Sequence, residues 1–211
     1  MRIKKTTLNA GLLYGTGHED SWEVYFENPI PHLCRHIRQA DEVYGCVFSI
    51  TNRKVIRALE TLQNCQILVD KSNSTPIERF GALKCNRSAK SFLKYYPQAH
   101  NDGNWDDDLE PVRVVGFKKG GVDVGLMHTK FLVFLQLDHS DEKQRLRPYA
   151  VWMGSCNFSN NAGRSLEFGY LSKDPQLARQ FMKHYVEVLS RSESIYNCSR
   201  NFDPQWYKIS A

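Results

Sequence analysis

No stretch of the 211-residue chain is apolar for the roughly 20 residues that a bilayer-spanning helix requires. Met1 to Lys5 is basic but leads into polar Thr6, Thr7 and Asn9, so neither a signal peptide nor a membrane anchor is expected. Cysteines are solitary: Cys34, Cys46, Cys65, Cys85, Cys156 and Cys198 form no CxxC pair, which excludes a disulfide scaffold and suits a reducing cytoplasm. Internal repeats, low-complexity tracts and linker-like stretches are also missing, so residues 1–211 read as one domain. Charge is not extreme, since 28 Lys and Arg against 23 Asp and Glu leave a net +5. With 41% hydrophobic and 12% aromatic residues, the composition is that of a globular protein and not of a disordered or collagen-like chain.

What is present is a succession of short apolar runs. Pro29 and Pro31 precede a helical pattern with Leu33, Ile37 and Ala40 on one side, and Val43 to Ile50 is rich in β-formers. Thr51 is placed to cap a helix carrying Val55, Ile56, Leu59 and Leu62, and after a break at Asn64 the run Gln66 to Val69 reads as a strand. That β-α-β order predicts parallel strands under helices. Pro76 to Tyr96 is weakly helical, and Pro97 to Glu110 reads as a polar loop. Val112 to Phe117, Leu126 to Leu137, Ala150 to Gly154 and Ser165 to Leu171 follow as strands, the first two joined by a turn at Lys118 to Gly121. Asp174-Pro175 opens a last helix with Leu177, Phe181, Tyr185, Val186 and Leu189. The expected fold is α/β, one mixed β-sheet flanked by helices in a sandwich.

Basic charge is unevenly placed. From Arg53 to Lys94, nine Lys and Arg face only Glu60, Asp70 and Glu78. Within that stretch Arg79, Lys84, Arg87, Lys90 and Lys94 alternate with Phe80, Phe92, Tyr95 and Tyr96. Such a run is either a solvated helix face or a surface for a nucleic-acid backbone, with cations on phosphates and rings on bases.

The most informative residues are Met127-His128-Thr129-Lys130 and, 24 residues after Lys130, Gly154-Ser155-Cys156-Asn157-Phe158-Ser159. His128 and Lys130 are two apart, so in an extended strand they leave the same face, while Thr129, Phe131 and Val133 point to the core. Ser155 and Asn157 repeat that spacing. A neutral imidazole can attack phosphorus, while an ammonium, an amide and a hydroxyl can neutralise and hydrogen-bond phosphoryl oxygens. This set suits phosphoryl transfer without a metal or other cofactor. Glu167 on the following strand could orient the imidazole through its second nitrogen.

Other constellations are weaker. His32 and His36 are four apart and could share a metal, but no carboxylate is placed nearby in sequence, so no metal site is assigned. Gly15-x-Gly17 lacks the rest of a dinucleotide fingerprint and reads as a turn, and Trp22, Tyr25 and Phe26 read as packing residues.

HxK followed by GSxNFS and a Glu ten residues after the Asn resembles the phospholipase D superfamily with its HKD motif. The resemblance extends over most of the chain, because the strand Cys46 to Ile50, the helix from Thr51 and the strand Gln66 to Asp70 match the order of elements that precede the motif in that family. It implies His128 as nucleophile, Lys130 and Asn157 as phosphate ligands, Ser155 as a further hydrogen-bonding residue and Glu167 as the orienting carboxylate. One departure stands out: the motif continues HxKxxxxD, and Leu135 occupies the Asp position, with Asp138 three residues on. The chain carries a single HxK and has the length of the Nuc-type nucleases, which the resemblance implies act as two-fold dimers with both His128 side chains at one phosphate. The expected activity is therefore that of a cytoplasmic, metal-independent phosphodiesterase cleaving nucleic acid through a phosphohistidine. A lipid phosphodiesterase and a non-catalytic nucleic-acid binder are the alternatives.

Overall fold

The computed structural model describes residues 13–14, 22–26, 28–71, 80, 82–85, 110–119, 122–125, 127–140, 145–159 and 166–195. After β1 (Leu13–Tyr14) and β2 (Trp22–Phe26), helix α1 (Ile30–Gln39) leads to β3 (Glu42–Val47), α2 (Arg53–Glu60) and β4 (Asn64–Asp70). Then come β5 (Val112–Val115), β6 (Phe117–Lys119), β7 (Val122–Gly125), β8 (Lys130–Leu137), β9 (Leu146–Gly154), β10 (Phe168–Ser172), α3 (Pro175–Leu189) and β11 (Glu193–Ser194). Nine of these strands form one sheet in the order β1-β2-β10-β9-β8-β3-β4-β5-β11, and β6 and β7 form a separate ribbon. The pairs β3/β4 and β4/β5 are parallel and the other pairs in the sheet antiparallel. The mixed α/β sandwich expected from the sequence is thus the observed fold.

Two cores sandwich the central strands, which is why those strands read as unbroken apolar runs. On β8, Leu132 and Phe134 pack with residues of α1 and α2, while Phe131, Val133 and Leu135 pack with Tyr185, Met182 and Val188 of α3. All five β8 residues are essentially sealed from solvent. Helix α2 has only eight residues, too few to be stable alone, and is held by burial of Val55, Ile56, Ala58 and Leu59. Fully burying each large aliphatic contributes about 1.5–3 kcal/mol. No helix among the described residues is long and apolar enough to cross a membrane.

Local details differ from the sequence reading. The cap of α2 is Asn52, whose side chain accepts the Lys54 N–H at 2.9 Å, and not Thr51, whose N–H is used elsewhere. Pro31 sits inside the first turn of α1, where its missing N–H has no intrahelical partner to lose. The expected strand Val112 to Phe117 is divided at Gly116, which at φ 125° turns the chain out of β5 into the β6/β7 hairpin, and the expected strand Leu126 to Leu137 begins only at Lys130. Strands β1, β2 and β11 carry little periodicity and lie outside the sequence expectation; β2 is held by pairing to β10 and carries the edge strand β1, and β11 is the short opposite edge, paired to β5. The helix expected over Pro76 to Tyr96 lies largely outside the described residues, as do Gly15 and Gly17.

Candidate active site

Topology assembles the site. Antiparallel pairing brings the end of β3, the start of β8, the end of β9 and the start of β10 to one edge of the sheet, with Val47 opposite Lys130, Phe131 opposite Met153 and Gly154 opposite Gly169. Phe48, His128, Lys130, Ser155, Asn157 and Glu167 all lie at or just beyond those strand ends. The polarity expected for a whole face of β8 is confined to this edge, because Leu132 and Phe134, which follow Lys130 on its face, are core residues.

His128 precedes the strand and is exposed. The Lys130 ammonium donates to the His128 carbonyl oxygen at 2.9 Å and lies 3.3 Å from Nδ1 and 3.2 Å from Nε2 of its ring. An ammonium only donates, so a ring nitrogen bonded to it must be the accepting one. Phe48 meets the imidazole edge to face, with centroids 4.9 Å apart, and its ring is 5.7 Å from Lys130 Nζ. Partial burial lowers the Lys130 pKa from the ordinary lysine value, and the Glu167 charge opposes that shift. The field of Glu167 thereby couples the two halves of the site.

The second half is the segment after β9. Ser155 Oγ donates a short hydrogen bond to Glu167 Oε2 and accepts the Phe168 N–H at 3.2 Å. Gly154 makes this approach possible, since a Cβ there would lie 2.3 Å from the Phe168 carbonyl oxygen. Phe158 then docks the segment on the β3–α2 connection. Its N–H donates to the Ser49 carbonyl at 3.0 Å, and its own carbonyl accepts the Thr51 and Asn52 N–H groups at 2.8 Å each. Between these anchors Asn157 is half-buried, and its Oδ1 is a buried acceptor with no partner. Such an atom is costly unless a ligand or water completes it. Burial, with a smaller contribution from the Glu167 charge, pushes the Cys156 thiol up to about 12, so it is not a thiolate nucleophile.

The five residues singled out for chemistry therefore gather at one sheet edge, paired as His128 with Lys130 and Ser155 with Glu167. In this structure the carboxylate of Glu167 is held by Ser155 and not by the imidazole, whose neighbours are Lys130 and Phe48. Leu135, at the motif Asp position, is fully buried against α3. It lies about 17 Å along the strand from Lys130, at roughly 3.3 Å per residue, too far for its apolar character to bear on the His128 and Lys130 side chains directly. Lys84 is exposed, but its carbonyl accepts the Cys65 N–H near the start of β4. That places its backbone at the opposite end of the sheet, away from Lys130 and Asn157. Arg79, Arg87, Lys90 and Lys94 lie outside the described residues.

The His32 and His36 side chains are engaged in packing against Tyr25. His32 stacks on Tyr25 at 4.1 Å, and His36 Nε2 is 3.2 Å from Tyr25 Oη. A carboxylate is nearby after all, Glu23 from β2 at 3.8 Å from His36, yet the described residues hold no group of three His, Cys, Asp or Glu suited to a metal. Burial drives the His36 pKa down to about 4. Tyr25 is a core residue as expected, whereas Phe26 is 50% exposed and, with Leu166 and Phe168, forms an apolar surface beside Glu167. Two contributors were missed by sequence reasoning. Phe48 looked like an ordinary strand residue, and Asp70, whose Oδ2 accepts the Met127 N–H at 2.6 Å, was read only as the end of a strand. Their roles depend on contacts no spacing encodes.

Residues 33–189 match the family described as Cardiolipin synthase, PLD-like domain. Over 202 residues the chain is 24% identical to uncharacterized protein L381 of Acanthamoeba polyphaga mimivirus, spanning 83% of this chain and 68% of that protein. Among solved structures it is similar to NucT from Helicobacter pylori, with 17% identity and a TM-score of 0.53 over 84% of this chain and all of that one. It is also similar to Nuc from Salmonella typhimurium, a phospholipase D family member, with 15% identity and a TM-score of 0.52 over 83% of this chain and 97% of that one. At these identities the structural likeness concerns the fold.

Proposed function

The chain belongs to the PLD-like domain family of the phospholipase D superfamily of phosphodiesterases, and from that membership and the geometry of its site we propose that it cleaves nucleic acid through a phosphohistidine on His128. The observation that carries this reading is an exposed imidazole at a strand end with the Lys130 ammonium 3.2 Å away and a hydrogen-bonded Ser155–Glu167 pair beside it. A neutral ring nitrogen of His128 attacks phosphorus, forming the P–N bond as the P–O bond to the leaving nucleoside breaks. Lys130 and the Asn157 amide hold the phosphoryl oxygens as charge builds on them, so the chemistry needs no metal. Hydroxide derived from water then forms a new P–O bond as P–N breaks, and His128 is regenerated.

The leaving oxygen needs a proton from the far side of phosphorus, and among the described residues of the site His128 is the one imidazole that a chain supplies. The reading is therefore a two-fold dimer in which His128 of the second copy is the acid in the first step and takes a proton from water in the second. Phe26, Leu166 and Phe168, exposed beside Glu167, offer an apolar surface for such a contact. Similarity in fold to NucT and Nuc, together with the basic stretch from Arg79 to Lys94, favours nucleic acid over lipid. Buried thiols at Cys34, Cys46, Cys65 and Cys156, none in a disulfide, accord with a cytoplasmic enzyme working as one domain.

The test is incubation of the purified protein with single- and double-stranded DNA and RNA in EDTA, with His128→Asn as control and phospholipid vesicles as a parallel substrate. Cleavage of nucleic acid by wild type alone supports the reading. Turnover restricted to vesicles, or dependent on added Mg²⁺, rejects it.

A further inference from the structure

Lys130 opens β8, and β3 lies between β8 and β4 in the sheet, so the backbones of β8 and β4 are about 10 Å apart at roughly 4.8 Å per strand. Yet Met127, only three residues before Lys130, donates its N–H to the Asp70 carboxylate at the end of β4 at 2.6 Å. The chain must therefore leave the line of β8 and cross over the end of β3. His128 occupies the crossing, which explains why it is exposed and why its ring meets Phe48, the first residue beyond β3.

Straight continuation of β8 would pair residues 127–129 with the chain beyond β3. That position is already taken by the motif segment, because Ile50 bridges Phe158, and Ser49, Thr51 and Asn52 bond to it. The crossing is fixed at its far side by Asp70, which is 1% exposed, and by Met127, whose side chain is 8% exposed in the core under α3. Thr129 Oγ1 donates to Met127 Sδ at 2.9 Å and closes the bend between them.

We propose that Asp70 is a positioning residue for His128: by accepting the Met127 N–H it holds the crossing that sets the imidazole against Phe48 and within reach of Lys130. Asp70 does not touch the reacting atoms. It acts through the backbone, and the consequence for turnover rests on the role proposed above for His128.

The experiment compares wild type, Asp70→Ala and Asp70→Asn by two readouts. The first is kcat and KM for bis(p-nitrophenyl) phosphate, a substrate too small to depend on distant basic residues. The second is the imidazole nitrogen and carbon shifts of His128 in histidine-labelled protein, assigned with His128→Gln. A displaced nucleophile costs about a hundredfold in rate, so folded Asp70→Ala should lose about that much kcat with KM little changed, and its His128 signals should move. Asp70→Asn keeps an oxygen that can accept the Met127 N–H and should recover most of both. If Asp70→Ala does not fold, Asp70→Ser, whose hydroxyl stops short of Met127, takes its place. Near-normal kcat, unmoved His128 signals, or an Asp70→Asn variant as impaired as Asp70→Ala would each overturn the assignment. A wild type inert on every phosphodiester defeats the proposed function and leaves the His128 shifts to decide the role of Asp70.

Discussion

Replacing Lys130 by Gln removes the ammonium beside His128 while keeping side-chain length and a donor. A charge centred on a phosphoryl group about 4 Å from Nζ gains about 4 kcal/mol at an effective dielectric near 20. Lys130 is partly exposed, so water takes back some of that gain. About 3 kcal/mol, or roughly two orders of magnitude in kcat, should remain. Stability should move the other way. The folded-state pKa of Lys130 is lowered because burial penalises the ammonium more than the Glu167 charge supports it. The charged form is therefore disfavoured in the folded chain, a penalty present below the folded pKa and absent once pH exceeds the unfolded one. Lys130→Gln removes that penalty, and its Tm at neutral pH should equal or exceed that of wild type. For the same reason wild-type kcat/KM, which reports the free protein, should fall on the alkaline side at lower pH than an exposed lysine would give, and that limb should be missing from the residual activity of Lys130→Gln. Steady-state kinetics from neutral to alkaline pH, with thermal unfolding of both proteins, measures each quantity. A folded Lys130→Gln enzyme within about tenfold of wild-type kcat would refute the assignment of Lys130 to transition-state charge.

Restoring the motif with Leu135→Asp should harm the protein: the position is fully buried against α3, and an unpaired carboxyl there should cost several kcal/mol, read as a large drop in Tm with no gain in kcat. Mixing excess His128→Asn chains with wild type, after exchange is verified, should abolish activity nearly completely, because each heterodimer holds one imidazole; activity in proportion to wild-type chains would reject the shared site. Stability should decline as pH falls from about 6.5 to about 4, because His36 stays neutral in the folded chain while the unfolded one binds a proton. In His36→Gln that part of the slope should vanish, as acid titration of urea midpoints will show.

Much of the site was legible because its chemistry is local. HxK and GSxN each put two functional groups within three residues, and few alternative uses explain His, Lys, Ser, Asn and Glu in that order. Strand β4, with all seven residues buried, and the Asp174 cap of α3 were legible for a similar reason: apolar runs and capping residues act on their immediate neighbours. Residues 127–129 of the expected strand Leu126 to Leu137 fall outside β8 because periodicity cannot register competition. Phe158 occupies the place beside β3 that residues 127–129 would otherwise take.

By itself the sequence determined the main helices and central strands and the mixed sheet, since these follow from hydrophobic spacing and capping within short windows, and it singled out the residues that the fold gathers at the candidate site. Only the tertiary structure decided that polarity at His128 and Lys130 belongs to one end of the sheet, that Glu167 is held by Ser155, that Lys84 stands at the far end and that the chain crosses the end of β3 to bring Met127 to Asp70. Each of these depends on which strands become neighbours. That choice is set by pairing between residues up to 150 positions apart, as between Trp22 and Ser172, and no local pattern in the chain records it.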